Sequence, residues 1–427
     1  MARPRLSPEP PGVPARRAAL KLLDAVLRRG QALEAALDHA AKDLSKREDR
    51  GLAHAIAATV LRRLPDLDAL IDSATQRRLP DDAKARSVLR IALAQALLMD
   101  TPPHAAISTV LPLVDGGPRK LVHGVFGTLM RGEAKLPDHP SLPDAVAMRW
   151  REAWGGAMLA GAARAIAQVP PIDISLRDAG ETDALASELG GTSLLPGHIR
   201  LGDGPPVPDR SGFAEGRWWV QDIAASLPSR LLGGGNGRAL DLCAAPGGKT
   251  LQLAASGWDV TALDISESRL TRLHQNLERT GLLADSVVAD VLTWQPQAPF
   301  DVVLLDAPCS ATGIFRRHPD VLHRVHPRLI ADMAELQAKL LARAADWVRP
   351  GGLIIYATCS LEPAEGEAQI DAFLQSRTDY RIDPALPDEL PHGILADPRG
   401  WVRTLPGMLE PQGGLDGFFL CRMMRTD

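Results

Sequence analysis

Two cysteines of this 427-residue chain lie in stretches of similar design: Cys309 in "LLDAPCSATGIFRRHPD" (304–320) and Cys359 in "IIYATCSLEPAEGE" (354–367). Each follows an apolar run of strand type, so both thiols are expected just past strand ends, facing one mouth. A buried cysteine alone is commonly inert packing. A pair beside a methyl donor points to a specific chemistry. Carbon-5 of cytosine is too weak a nucleophile to take a methyl group directly. A thiolate added at carbon-6 turns the ring into an enamine that can. A base must then remove the carbon-5 proton so that the thiol can leave. An acid such as Asp306 would assist at ring nitrogen-3. The attacking thiol needs a lowered pKa, for which Lys249 and the helix start after Cys359 are candidate sources of positive potential. Zinc is the competing reading, and it is weak. Neither cysteine has a C-x-x-C partner or a histidine at ligand spacing, so no metal is expected.

"LDLCAAPGGKTLQL" (240–253) raises the question of what such a thiol pair would sit beside. Its Gly-Lys-Thr suggests a phosphate loop, but the glycine that loop needs five residues before Gly248 is Cys243. No G-x-G-x-x-G is present, which argues against a dinucleotide. Asp264, Asp290 and Asp306 close three successive strands. An acid after the second strand suits a ribose diol, because a carboxylate only accepts hydrogen bonds; one after the third can face an adenine amine. Gly247 and Gly248 allow close approach of a ligand. A carboxylate-lined pocket favours a cationic nucleoside over a triphosphate, and S-adenosylmethionine has that charge.

The elements that must position these groups fall into three segments. After a leader (1–14) rich in proline, residues 15–135 read as all helix, about seven short ones; in "ARRAALKLLDAVLRRG", Leu20, Leu23 and Leu27 mark the apolar face. A proline-rich linker (134–145) precedes a small mixed α+β connecting domain (146–220). From 221 to 427 the chain alternates apolar strands with helices, the pattern of a doubly wound parallel sheet with ligands at the strands' C-terminal ends. "GFFLCRMM" reads as a final hairpin strand.

Bulk properties are those of a soluble globular chain, 45% apolar and 23% charged. No apolar run reaches membrane-spanning length, the start has no signal-peptide core, and four cysteines make no disulfide framework. A reducing cytoplasm is therefore expected. The net charge of −4 conceals an asymmetry: residues 1–140 hold 22 Lys and Arg against 16 Asp and Glu, and the remainder 26 against 36. That places +6 on one part and −10 on the other, which fits a basic module joined to an acidic one.

"DLCAAPGGKT", "DAPCSATG", "RRHPD", "YATCSLEPAEGE" and the upstream "VQDIAASLPSRLL" together resemble the Sun-type (Fmu) RNA cytosine-5 methyltransferases. "LLMDTPPHAAISTVLPLV" and "RKLVHGVFGTLMR" resemble the NusB-like RNA-binding fold attached to the ribosomal-RNA branch of that family. The resemblance implies a Rossmann-like domain with a mostly parallel seven-stranded sheet, S-adenosylmethionine as cofactor, and a single chain acting on small-subunit ribosomal RNA, with no membrane partner. It assigns Cys359 as nucleophile and Cys309 as the residue assisting release. Asp306 and Lys249 would contact the target base or the methionine end of the cofactor. Cys243, Ala244, Ala245, Pro246, Gly247, Gly248 and Lys249, with Asp264, Asp290 and Asp306, would hold the cofactor. Arg316 and Arg317 would meet RNA phosphate. His318 reads as a structural hydrogen-bonding residue, and Trp218–Trp219 as packing rather than a base-stacking platform. The chain departs from the pattern at "LVHG" (121–124), where an FVN-like stretch is expected. Alternatives are the same chemistry on transfer RNA, or a non-catalytic RNA-binding, antiterminator-like scaffold.

Overall fold

The structure, a computed structural model, describes residues 10–426, so residues 1–9 of the expected leader lie outside it. The chain forms two compact units. Among the described residues, one comprises 10–149 with two short returns, 166–168 and 317–324; the other holds 150–165, 169–316 and 325–426.

The first unit is helical: α1 (Val13–Leu27), α2 (Leu33–Ala40), α3 (Arg47–Arg62), α4 (Leu64–Ser73), α5 (Lys84–Leu98), α6 (Pro103–Val110) and α7 (Gly116–Arg131). Helix α1 begins inside the expected leader, with Pro14 in its first turn, where a missing N–H costs nothing. Its buried face is centred on Ala18, Ala19, Leu22, Leu23 and Val26; Leu20 and Leu27 lie at its margin. Helix α5 is the core of the unit, with Val88, Leu89 and Ile91–Ala94 sealed from solvent. Several of the unit's cations also face inward. Arg86 pairs with Asp72 (2.7 Å) and Asp68 (3.0 Å), Arg90 holds Asp68 through two bonds (2.7 and 2.8 Å), and Arg16 donates to Gln95 (2.8 Å).

Helix α8 (Asp144–Ala167), broken at Gly155 (φ 79°), contributes residues 150–165 to the second unit, and a three-stranded antiparallel sheet follows it. Its strands β1 (Ile172–Leu176), β2 (His198–Leu201) and β3 (Trp218–Val220) lie in the order β2-β1-β3, with α9 (Thr182–Leu189) between the first two. Then follow α10 (Ile223–Arg230), β4 (Arg238–Leu242), α11 (Gly248–Ala255), β5 (Asp259–Asp264), α12 (Glu267–Thr280), β6 (Asp285–Val288), β7 (Phe300–Asp306), α13 (Val321–Arg324), α14 (Pro327–Ala345), β8 (Val348–Thr358), α15 (Glu367–Ser376), β9 (Tyr380–Ile382), β10 (Val402–Thr404) and β11 (Phe418–Arg425). Of these, α13 falls in the segment that groups with the helical unit.

The large sheet runs β10-β11-β8-β7-β4-β5-β6, seven strands in one path, with β9 pairing β11 off it. Pairings from β8 through β6 are parallel, and those of β11 are antiparallel. Apolar runs such as Val302–Leu305 are buried on both faces, as central parallel strands require. The chain steps outward from β4 through β5 to β6, then crosses back to β7 and β8. The order therefore reverses between β4 and β7, and a crevice opens there at the strands' C-terminal ends. "GFFLCRMM" forms β11, which pairs antiparallel with the preceding strand β10, as a hairpin strand does, and with β8 on its other edge.

Arg316 is a correction. It is not a surface phosphate ligand: it is 3% exposed, pairs with Asp222 (2.6 Å) and Asp416 (2.5 Å), and donates to the Gly413 carbonyl (3.0 Å). Asp222 also caps α10 through the Ala224 amide (2.9 Å). A guanidinium desolvated between two carboxylates has no donor face left for RNA. Arg316→Ala, which strands two buried carboxylates, should destabilise the chain by about 3–5 kcal/mol in urea unfolding. A surface phosphate contact would instead lower RNA affinity and leave stability unchanged.

Candidate active site

Register brings the two thiols together. In the parallel β7–β8 pair Asp306 lies opposite Ala357, so three further residues on one strand and two on the other carry Cys309 and Cys359 to the same place. Their Sγ atoms are 3.4 Å apart. The loops are laced by Gly313 N–H donating to the Cys359 carbonyl (2.9 Å) and Leu361 N–H donating to Thr312 Oγ1 (2.9 Å). Gly313 leaves no room for a side chain, since a Cβ would strike the Gly417 carbonyl. The Cys309 thiol is held well above its ordinary pKa by its hydrogen bond with Cys359 and by burial, so it is the proton-bearing partner.

Asp306, at the tip of β7, pairs with Lys249 Nζ at 2.6 Å, and the same ammonium lies over the Phe418 ring. Burial alone would lower the lysine, but the Asp306 carboxylate overrides it and holds the ammonium above its ordinary pKa. The pair is thus a fixed cation and anion near the thiols' strand ends.

Two clefts flank the loop after β4, and Cys243 (φ 59°) lines both. The smaller, about 210 Å³, has Asp264, Asp290 and Arg269 with an apolar wall that includes Ile265, Val291, Leu336 and Leu340. The larger, about 380 Å³, includes Ala244–Pro246, Gly248 and Lys249, with Asp222, Asp241, Asp306, Gln221 and Trp219. Asp264 also builds the loop, accepting from the Ala245 amide (3.1 Å) and the Ser266 amide (2.9 Å). Asp290 lies two residues past β6, in a turn where its carboxylate accepts from the Leu292 amide (2.9 Å). Gly247 lines neither cleft; its φ of 109° and its closeness to Leu273 explain the glycine. Burial, with Asp306 and Asp264 nearby, pushes the Cys243 thiol up to about 12, so it is a neutral wall.

Comparison with known proteins decides the family. The description "16S rRNA methyltransferase RsmB/F" matches residues 231–424, and the NusB family matches 13–128. "Ribosomal RNA small subunit methyltransferase B" of Xanthomonas campestris is 36% identical over 97% of this chain and 98% of its own. The chain belongs to the RsmB/F methyltransferase family. The protein of the same name in Klebsiella pneumoniae is 34% identical over 95% of this chain and 97% of its own. The solved structure of PH0851, 23% identical, shares the fold with a TM-score of 0.72 over 98% of this chain and all of that one.

In this family member the remaining expected residues are placed as follows. Arg317 and His318 are half-buried, in the segment that groups with the helical unit. Burial lowers the His318 pKa. Trp218 is sealed against Phe213 and donates to the Ser211 carbonyl (2.9 Å). Trp219, 3% exposed, donates to Gln221 (2.9 Å), so this pair is packing. Gln221 and Asp241 went unassigned in the sequence. Gln221 sits in the resemblance motif "VQD", whereas Asp241 carries no signal beyond its place at a strand end.

Asp241 is fully buried. Its Oδ2 accepts from Thr250 (2.6 Å), while its Oδ1 has no partner among the described residues. Burial raises it to about 7. The folded chain therefore keeps this proton where the unfolded chain has already lost it. The resulting stability is complete below the ordinary carboxylate value near 4 and is lost as pH rises through about 7. Asp241→Asn should flatten the pH dependence of the urea midpoint across that window; an unchanged slope would place the titration elsewhere.

Proposed function

We propose that this methyltransferase uses S-adenosylmethionine to form 5-methylcytidine in small-subunit ribosomal RNA, through a covalent bond between Cys359 and the target base. The observation that carries the reading is the 3.4 Å approach of two thiols beside the Asp306–Lys249 pair. The relatives' shared name supports the ribosomal substrate, as does the NusB match over the helical segment.

The clefts fit the cofactor by charge. Asp222, Asp241 and Asp306 line the larger one together with Lys249 and Arg279, and Asp241 Oδ1, which has no partner among the described residues, can accept from a donor on the ligand. The amino group of S-adenosylmethionine is a donor of that kind. Asp264 and Asp290, with the apolar wall of the smaller cleft, suit a ribose and a purine. Bound there, S-adenosylmethionine supplies an electrophilic methyl group.

The chain's own residues do the rest. The Cys309 thiol, held above its ordinary pKa in contact with Cys359, keeps its proton while Cys359 serves as the nucleophile. Cys359 attacks carbon-6, and the Lys249 ammonium, held charged by Asp306, faces the negative charge that the attack pushes onto the ring. After methylation Cys309 gives its proton to solvent, and its thiolate takes the proton on carbon-5. The C–H electron pair restores the C5–C6 double bond, and the C6–S pair returns to Cys359. A cytidine must be unstacked for this attack, so the target is a loop or RNA not yet buried in the particle.

Cys359→Ala should abolish methyl transfer while calorimetry still records cofactor binding. Cys309→Ala should accumulate an enzyme–RNA adduct that survives denaturing electrophoresis. Bisulfite sequencing of small-subunit RNA from a strain lacking the protein should lose one 5-methylcytidine signal. Normal methylation by both variants would end the two-thiol reading.

A further inference from the structure

Glu365 is fully buried, and no part of it lines either cleft. Its carboxylate nevertheless collects donors from both thiol-bearing loops. Oε1 accepts from the Ser310 amide (2.8 Å) and from Gln337 Nε2 (3.1 Å). Oε2 accepts from the Ser360 hydroxyl (2.5 Å) and from that of Ser310. Ser310 follows Cys309 and Ser360 follows Cys359, so one carboxylate holds the residue next to each thiol. The same Gln337 amide also donates to the carbonyl of Pro308 (2.9 Å), the residue before Cys309. Glu365 is itself immobilised from behind, its carbonyl accepting from Tyr356 Oη (2.8 Å) and Thr358 Oγ1 (3.1 Å), both on β8.

β7 and β8 set the two loops side by side, but the ladder ends near Asp306 and Ala357. Beyond that point, the separation of the sulfurs depends on cross-loop bonds. A buried carboxylate with four charge-assisted bonds is the stiffest of these, because loosening it leaves a desolvated anion underpaired.

We propose that Glu365 is a positioning residue: it sets the distance between Cys309 and Cys359, and through that distance the release of methylated RNA. The proposal rests on the two-thiol reading. Addition at carbon-6 needs Cys359 alone, whereas release needs Cys309 within reach of carbon-5 while Cys359 is still bonded to carbon-6. A relaxed spacing therefore slows release more than attack. The step affected is the elimination in which Cys309 takes the carbon-5 proton, the double bond re-forms and the C6–S electrons return to Cys359.

Three variants of the full chain test this with ribosomal RNA and S-adenosylmethionine. Ser360→Ala removes one hydroxyl and cuts the bridge on the Cys359 side. Glu365→Ala removes it altogether. Glu365→Gln is isosteric, and its amide can accept from the Ser310 N–H while donating to both hydroxyls, so the spacing is rescued without the charge. The readout is the fraction of enzyme trapped as denaturant-resistant RNA adduct at steady state, with Cys309→Ala as reference. We expect Ser360→Ala and Glu365→Ala to raise that fraction at least tenfold over the parent while turnover falls, and Glu365→Gln to return it towards the parent. Should Glu365→Ala fail to fold, Ser360→Ala and Glu365→Gln still decide. If Cys309→Ala traps RNA but Ser360→Ala does not, positioning by Glu365 is wrong and the two-thiol reading survives. If Cys309→Ala traps none, the two-thiol reading falls and takes the clamp with it.

Discussion

Parallel pairing of β7 with β8 is the constraint on which the site depends. Neither thiol motif is unusual alone, and the two lie 50 residues apart in the chain. Because the strands are neighbours and Asp306 lies opposite Ala357, the two loops start side by side, and cross-loop bonds hold the sulfurs in contact. The crossing from β6 back to β7 opens the crevice beside β4, so the acid-lined clefts lie at that same end of the sheet. One topological choice thus supplies both a place for the methyl donor and a place for the thiol pair.

Electrostatics refine what topology places. The second unit carries the chain's acidic excess, and several of its carboxylates face the clefts. Lys249 is held charged among them by Asp306. Cys243, surrounded by the same anions, stays neutral. A thiol's setting in this protein is therefore decided by its neighbours: Cys243 is a neutral wall, while Cys309 and Cys359 lie in contact.

Much of this was legible in the sequence. The apolar runs ending at Leu242, Asp264, Asp306 and Thr358 announce buried strands, and the acids and cysteines at their ends announce a ligand edge. The helical segment declared itself through its periodicity, though the α1 face is rotated from the one marked by Leu20 and Leu27, because alanines do part of the packing. Partnerships across long separations were not legible. Arg316 and Arg317 look alike in "FRRHPD", yet Arg316 is enclosed by Asp222 and Asp416, each about a hundred residues away. Glu365 reads as one acid among several in "EPAEGE"; its donors come from positions 310, 337 and 360. The insertion of β11 beside β8 depends on which strand edge is open, a property of the assembled sheet that no local pattern encodes.

That insertion has a consequence for synthesis. Strand β8, which delivers Cys359, is covered along its outer edge, among the described residues, by β11 alone, from Phe418 onward. While the chain emerges from the ribosome up to residue 417, the strand leading to the nucleophile presents a row of unsatisfied backbone groups. The β8 edge is thus closed only once Phe418–Arg425 has been made, and until then it can pair with a stray strand.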